Sequence, residues 1–193
     1  MKIIGITGSI GCGKTYLANL LKSMGYSVYN PDLWVRNLYK KNNFLNVIKQ
    51  NFPTVFDVNG NFNKRKLREI VFNDNKQLKK LENIIHPFLK IKLKKIISKF
   101  ARKEDFLFLD VALLLEMNWD KYCDFIIVAD VEKEIQIKRV MERDGVKRED
   151  VEKIIAVQSD KMIKYASADY IINTALPDGI NKVQLIKFLQ EIE

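Results

Sequence analysis

An apolar run, Ile3-Ile4-Gly5-Ile6, leads straight into Gly8-Ser9-Ile10-Gly11-Cys12-Gly13-Lys14-Thr15, and an amphipathic stretch follows. This is the G-x-x-x-x-G-K-[ST] pattern in the strand, loop and helix context that gives it meaning. The glycines let the backbone wrap with its N–H groups turned inward, and the next helix adds the positive end of its dipole. Such a loop is built to hold phosphate groups. Lys14 is then the mobile charge on the outer phosphates, and Thr15 supplies a hydroxyl to the Mg2+ that bridges them. Leu17, Leu20, Leu21 and Met24 recur at i, i+3, i+4 and i+7, and Gly25 ends the helix. The chain is therefore expected to bind a nucleoside triphosphate.

The rest of the chain supplies a fold for that loop. Strand-like runs at Lys2–Thr7, Tyr26–Tyr29, Phe106–Val111, Phe125–Ala129 and Tyr170–Ile172 are separated by segments of helical periodicity. That alternation predicts an α/β architecture, a parallel five-stranded sheet with helices on both faces. With 193 residues and 47% hydrophobic content, one domain with a real core has room for an insertion. The stretch from Leu38 to Arg102 is too long for a crossover helix and reads as that insertion, punctuated by a turn at Asn59-Gly60 and by His86-Pro87.

Charge is concentrated in the same place. Residues 60 to 103 hold 14 Lys or Arg against 3 Asp or Glu, whereas the remainder holds 19 against 21, so this segment carries the whole formal excess of +9. A local positive potential suits an anionic second ligand, and nucleic acid would also satisfy it. The lysines also interleave with Leu89, Leu93, Ile96, Ile97 and Phe100 as on an ordinary amphipathic helix. No apolar stretch reaches the roughly 18 residues of a membrane span, and no cleavage pattern opens the chain. A cytoplasmic protein without a membrane partner is expected. Cys12 and Cys123 have no metal-ligand spacing; Cys12 is either a passive small residue or a thiol of lowered pKa at a helix start.

Phosphoryl transfer needs positioning, charge neutralisation and one residue to orient or deprotonate the acceptor. Asp32 follows the second strand, on the side of an open α/β sheet where ligands collect, and Pro31 stiffens its approach. It is the candidate general base, and capping a helix that begins near Leu33 is a compatible role. Asp110 ends the apolar run Phe106-Leu107-Phe108-Leu109 as the second element of the Mg2+ region. Glu116 lies six residues on and can face the same cleft. Arg139 and Arg143 share a helix face in a charged hairpin, where a closing lid would bring them onto phosphates; salt bridges to nearby acids are the alternative. His86, the only histidine, is either a substrate contact or a structural hydrogen-bonding group.

Taken together, the chain resembles the dephospho-coenzyme A kinase family. The resemblance runs through the phosphate loop, Tyr29-Asn30-Pro31-Asp32 with Arg36, Asn59-Gly60, Leu67 to Phe72, Ile85-His86-Pro87, Leu109-Asp110-Val111-Ala112-Leu113-Leu114-Leu115-Glu116, Arg139 to Gly145, Gln158 and Ala168-Asp169-Tyr170. It implies ATP-dependent phosphorylation of the ribose 3′-hydroxyl of dephospho-CoA, with ATP and Mg2+ bound and with no nucleic-acid partner, by a monomer. The implied fold is the three-layer α/β/α of P-loop NTPases, with core segments 1–37, 104–131 and 166–193, a helical CoA-binding subdomain 38–103 and a lid 132–165. The resemblance makes Asp32 the base and Lys14, Arg139 and Arg143 catalytic. It places Gly8 through Tyr16 and Asn173 on the nucleotide, Asp32, Arg36, His86, Leu114 and Glu116 on the acceptor, and Thr15 and Asp110 on the metal. Asn30 stands where the family has an aspartate, Tyr16 where a small hydroxyl residue is common, Ala112 where a proline is, and Ile154 where a lid arginine is.

Three other readings share parts of this pattern. A small P-loop kinase for another metabolite or a nucleoside monophosphate would share Lys14, Thr15 and Asp110 without needing the basic insertion. A nucleic-acid-stimulated ATPase would use the basic segment. A GTP-dependent switch would use Asp57-Val58-Asn59-Gly60 as its D-x-x-G, although no N-K-x-D element is present to read guanine.

Overall fold

The computed structural model describes residues 1–100, 105–116, 118–157 and 161–193, without the side chains of Asp32, Phe72, Asn75 and Val157. Five strands, β1 (Lys2–Thr7), β2 (Ser27–Tyr29), β3 (Phe106–Asp110), β4 (Phe125–Asp130) and β5 (Tyr170–Asn173), form one parallel sheet in the order β2-β3-β1-β4-β5. The expected strands were right to within one residue at each end. From β1 the chain crosses to β2 on one side, and from β3 onward it moves to the other. The sheet therefore reverses direction between β1 and β3, and the crevice at their carboxyl ends is where an open α/β sheet takes its ligand.

The central strands are buried on both faces in continuous runs, and alternate residues face one of the two layers. Ile4, Ile6, Phe106, Phe108, Ile127, Ala129 and Ile172 form one cluster with Leu17 and Leu21 of α1 (Lys14–Ser23) and Leu185, Phe188 and Leu189 of α9 (Asp178–Ile192). Tyr26 packs edge-on against Phe106 and Phe108 at the start of β2. Two aspartates stitch the strands at their beginnings. Asp124 accepts from the Ile3 N–H at 2.7 Å and donates its own N–H back to the Ile3 carbonyl; Asp169 does the same with Ile126. The Ala168-Asp169-Tyr170 motif is thereby accounted for by strand pairing.

The chain divides into two compact units, Met1–Asn30 with Lys103–Glu193, and Pro31–Arg102. The sheet unit also holds α6 (Lys133–Asp144), α7 (Arg148–Val157) and α8 (Lys161–Ala166). The helical unit comprises α2 (Pro31–Leu38), α3 (Asn42–Asn51), α4 (Lys64–Asn73) and α5 (Asn75–Phe100), with a short 3-10 turn at Pro53–Val55. Residues 31–37, expected to go with the core, belong here because α2 packs on α5. The unit is built on its own apolar cluster of Leu38, Phe44, Ile48, Phe52, Val55, Leu67, Val71 and Leu81. Phe44 lies at its centre, edge-on to both Tyr39 and Phe88.

Two local expectations need correction, and one turn is found as expected. Helix α2 begins at Pro31, so Asp32 lies in its first turn rather than at its N-cap; proline at a first helical position loses nothing, since that N–H has no intrahelical partner. His86-Pro87 does not interrupt the insertion: α5 runs for 26 residues straight through Pro87. An interior proline forfeits one backbone hydrogen bond, at about 3 kcal/mol. Burial of Leu81 on one side and of Leu89 and Leu93 on the other holds the helix across it. Asp57-Val58-Asn59-Gly60 is a turn, not a guanine-nucleotide switch. Gly60 takes φ +82°, and the Asp57 carboxylate is spent locally, accepting from the Asn61 backbone and side chain at 2.7 and 2.8 Å. Phe44→Ala is expected to cost about 3–5 kcal/mol in urea unfolding, whereas Val58→Ala, at a fully exposed turn position, changes stability by less than about 0.5 kcal/mol.

Candidate active site

Between β1 and α1 the chain takes a shape that only glycine permits at two points. Gly11 and Gly13 have φ of +76° and +83°, and a Cβ on either would lie 2.6 Å from a neighbouring oxygen: the Gln136 carbonyl for Gly11, the Thr174 hydroxyl for Gly13. The loop is thus gripped by α6 and by the residue that follows β5. It opens onto a cavity of about 410 Å³ whose wall consists of Gly8, Ser9, Ile10, Gly11, Gly13, Lys14 and Thr15 on one side, with Ala112, Arg139 and Arg143 opposite. That volume lies within the range of small-ligand sites.

Three cationic side chains meet there. The Lys14 ammonium is paired with Asp110, whose other carboxylate oxygen accepts from the Asn30 side-chain amide at 2.5 Å. Both members of the pair are largely buried, and Asp110 is only 3% exposed. A buried ammonium and a buried carboxylate each need a partner, and they supply one another. Asn30 performs here what the family's aspartate could do only if protonated: it donates to Asp110. Arg139 is held by Thr174, donating to its hydroxyl at 2.9 Å and its carbonyl at 3.0 Å, and reaches the Gly11 carbonyl at 3.5 Å. Arg143 makes a two-point pair with Asp144 at 2.7 and 2.8 Å, the salt-bridged alternative, and also lines the cavity. That pair raises the guanidinium's pKa and lowers that of the Asp144 carboxyl.

Thr174 is the residue that sequence reasoning missed. Its hydroxyl accepts from Arg139 and donates to the Cys12 carbonyl at 2.7 Å, while its N–H donates to the Asp130 carbonyl. It therefore joins the phosphate loop, Arg139 and the end of β4 through one buried side chain. Its predicted neighbour Asn173 instead shapes the turn, accepting from the Ala175 N–H at 2.9 Å, and does not line the cavity. In sequence Thr174 is a lone threonine after the β5 run, with no motif of its own to mark it.

The remaining predicted residues divide. Ile10 lines the cavity and also packs on Ile137, Val140 and Val151 of α6 and α7. Tyr16 faces α9, its hydroxyl accepting from Asn181 at 3.3 Å. Leu114 is fully buried beneath Gly5 of β1, where it serves packing and cannot reach a substrate. Glu116 lies 3.8 Å from the Lys164 ammonium. In the helical unit Arg36 is exposed on α2, and the His86 Nε2 is buried with no hydrogen-bond partner among the described residues. The Asp32 side chain and Gln158 lie outside the described residues. Cys12 precedes α1, is 2% exposed, and burial pushes its thiol up to about 11, which settles it as a passive filler.

Fold and site together define a P-loop kinase class. A sequence model of the family "Dephospho-CoA kinase" matches residues 2–177. A curated dephospho-CoA kinase of Bartonella henselae is 41% identical over 175 residues, covering 90% of this chain and 89% of the relative. Among solved structures, TT1252 from Thermus thermophilus superposes with a TM-score of 0.88 at 29% identity over 98% of this chain and 96% of that one. The dephospho-CoA kinase of Campylobacter jejuni gives 0.69 at 26% identity over the same shares. The chain belongs to the dephospho-CoA kinase family, and its activity is that family's ATP-dependent kinase step in coenzyme A synthesis.

Two outcomes follow from the site. Thr174→Val removes the hydroxyl that serves both Arg139 and Cys12; it is expected to weaken ATP binding about tenfold and to lower stability by about 1–3 kcal/mol, read by nucleotide titration and urea unfolding. A thiol titrating near 11 has less than about one hundredth of the thiolate of a free cysteine at pH 8. Labelling of Cys12 at pH 8 is accordingly slow in the folded enzyme, speeds up only as the pH approaches 11, and becomes ordinary on unfolding.

Proposed function

We propose that the cavity on the phosphate loop takes the triphosphate of ATP with Mg2+, and that the γ-phosphoryl passes to the ribose 3′-hydroxyl of dephospho-CoA with Asp32 as general base. The observation that carries this reading is the cavity itself: a phosphate loop and three cations, Lys14, Arg139 and Arg143, around one space. Phosphoryl transfer asks mainly for positioning and for neutralisation of charge on the transferring oxygens, and these groups supply both. On ATP binding Lys14 exchanges the Asp110 carboxylate for phosphate oxygens, which is electrostatically even because one anion replaces another.

The donor set fits Mg2+. The Thr15 hydroxyl lines the cavity and the Asp110 carboxylate is held beside Lys14, both hard oxygen donors of the kind this ion takes alongside phosphates and water. When bound, the ion neutralises phosphate charge. Among the described residues no cluster of three or more His, Cys, Asp or Glu offers a metal site of another kind. Asp32 comes two residues after Asn30, whose amide holds Asp110, and sits in the first turn of α2.

The acceptor falls to the helical unit, with Arg36, the unpartnered Nε2 of His86 and the basic face of α5 as candidate contacts for a pyrophosphate-bearing substrate. Glu116 contributes to the same acceptor side. Arg139 and Arg143 act as a lid pair from the segment 132–165, and the chain works as a cytoplasmic monomer. Among the described residues no helix is long and apolar enough to cross a membrane.

ADP release is measured with ATP and Mg2+ against dephospho-CoA, adenosine, AMP, nucleoside monophosphates and single-stranded DNA. Turnover with dephospho-CoA and CoA as product is expected; turnover with another acceptor alone, or stimulation by DNA, overturns the assignment. Removing Mg2+ with EDTA abolishes turnover, and adding it back restores it. Asp32→Asn is expected to leave ATP binding intact and to cut turnover at least about 100-fold, and near-normal turnover would end the role given to Asp32.

A further inference from the structure

Helix α8 delivers a lysine to the back of the phosphate loop. Lys164 is 2% exposed, its ammonium donates to the Ser9 hydroxyl at 3.3 Å, and the Glu116 carboxylate stands 3.8 Å away. Two other residues of the same helix clamp it to the end of β4, where Lys161 and Tyr165 both donate to Asp130, at 2.8 and 2.5 Å. The placement of the Lys164 ammonium is therefore fixed by its own helix.

Burying an ammonium costs several kcal/mol unless charge and hydrogen bonds compensate it. The Glu116 carboxylate at 3.8 Å supplies part of that compensation. An apolar side chain of the same length would fill the volume without that cost, so the position is spending stability on a charge. What the charge touches is Ser9, and Ser9 lines the cavity. A hydroxyl has one hydrogen to give and two lone pairs to accept with. When its oxygen accepts from a cation, its own O–H remains to be donated, and the cation makes it a stronger donor.

We propose that Lys164 is a positioning residue for phosphoryl transfer: its ammonium holds and polarises Ser9, so that the Ser9 hydroxyl donates to a phosphate oxygen in the cavity as negative charge develops there. Lys164 does not line the cavity and acts through Ser9. This rests on the assignment of the cavity to the triphosphate of ATP. An interaction that tightens only in the transition state appears in kcat, with KM for ATP little changed.

The test is a double-mutant cycle of Lys164→Met and Ser9→Ala, scored by kcat and KM for ATP with dephospho-CoA as acceptor, with unfolding midpoints measured in parallel. Each single variant is expected to lower kcat by about 10- to 100-fold with KM for ATP within about threefold. The double variant should be no slower than the slower single one, because both remove the same interaction. Lys164→Arg keeps the charge and is expected to lose about fivefold in kcat, a loss that vanishes in the Ser9→Ala background. This second arm decides the matter if Lys164→Met does not fold. Losses that multiply in the double variant, a Lys164→Arg loss that persists without the Ser9 hydroxyl, or a folded Lys164→Met with kcat within twofold of wild type each overturn the proposal. Wild-type enzyme without ADP release would instead overturn the assignment of the cavity, and the role of Lys164 with it.

Discussion

Everything at this site depends on the grip that two separate segments, α6 and the residue after β5, exert on the phosphate loop. Within the loop the Cys12 N–H donates to the Ser9 carbonyl at 3.1 Å. The loop's shape is imposed where the Gln136 carbonyl meets Gly11, where the Thr174 hydroxyl meets Gly13, and where Thr174 also donates to the Cys12 carbonyl. The same Thr174 fixes Arg139 with two hydrogen bonds. The geometry of the phosphate cradle and the placing of one of its cations are thus a single arrangement. Because backbone amides aimed before the ligand arrives need no reorganisation during reaction, a rigid loop is worth more to phosphoryl transfer than a flexible one of the same sequence.

Charge is arranged with the same logic. Lys14 rests on Asp110 and Arg143 on Asp144, so two of the cations lining the cavity are neutralised by carboxylates. Of the two pairs the buried Lys14–Asp110 pair matters more, since the Arg143–Asp144 pair is substantially solvated and screened. Asn30 completes that pair as a donor, which makes this departure from the family pattern a coherent local solution: it supports Asp110 without placing a second carboxylate beside it.

The helical unit carries the positive charge of the chain, and part of that charge has a structural use. Lys41 lies over Trp34, Lys49 over Phe56, Lys64 over Tyr39 and Lys80 over Phe52, each with its ammonium 5.2 to 5.9 Å from a ring centre. The aliphatic stems cover the rim of the aromatic cluster while the charged heads stay in water. The Nε2 of His86, by contrast, is buried with no hydrogen-bond partner among the described residues.

The sequence by itself determined the phosphate loop, the five strands to within a residue, the insertion and its charge, and the pairing of Lys14 and Asp110 in one region. These are features written in local chemistry: glycine at left-handed positions, apolar runs of strand length, a carboxylate at a strand end. Only the tertiary structure decided the rest, because each remaining feature joins residues far apart in the chain. Thr174 meets Cys12, Arg139 meets Thr174, and Lys164 meets Ser9, and no local pattern tells either Thr174 or Lys164 which partner it will find. Leu114 stands inside a family motif and Asn173 was placed by the resemblance, yet packing under β1 claims the first and turn geometry the second. Pro87 reads locally as a break, and the helix passes through it because burial on both sides outweighs one lost hydrogen bond. Local signals specify elements, whereas the contacts that make a site come from the order in which parallel strands assemble, and no short stretch of sequence contains that order.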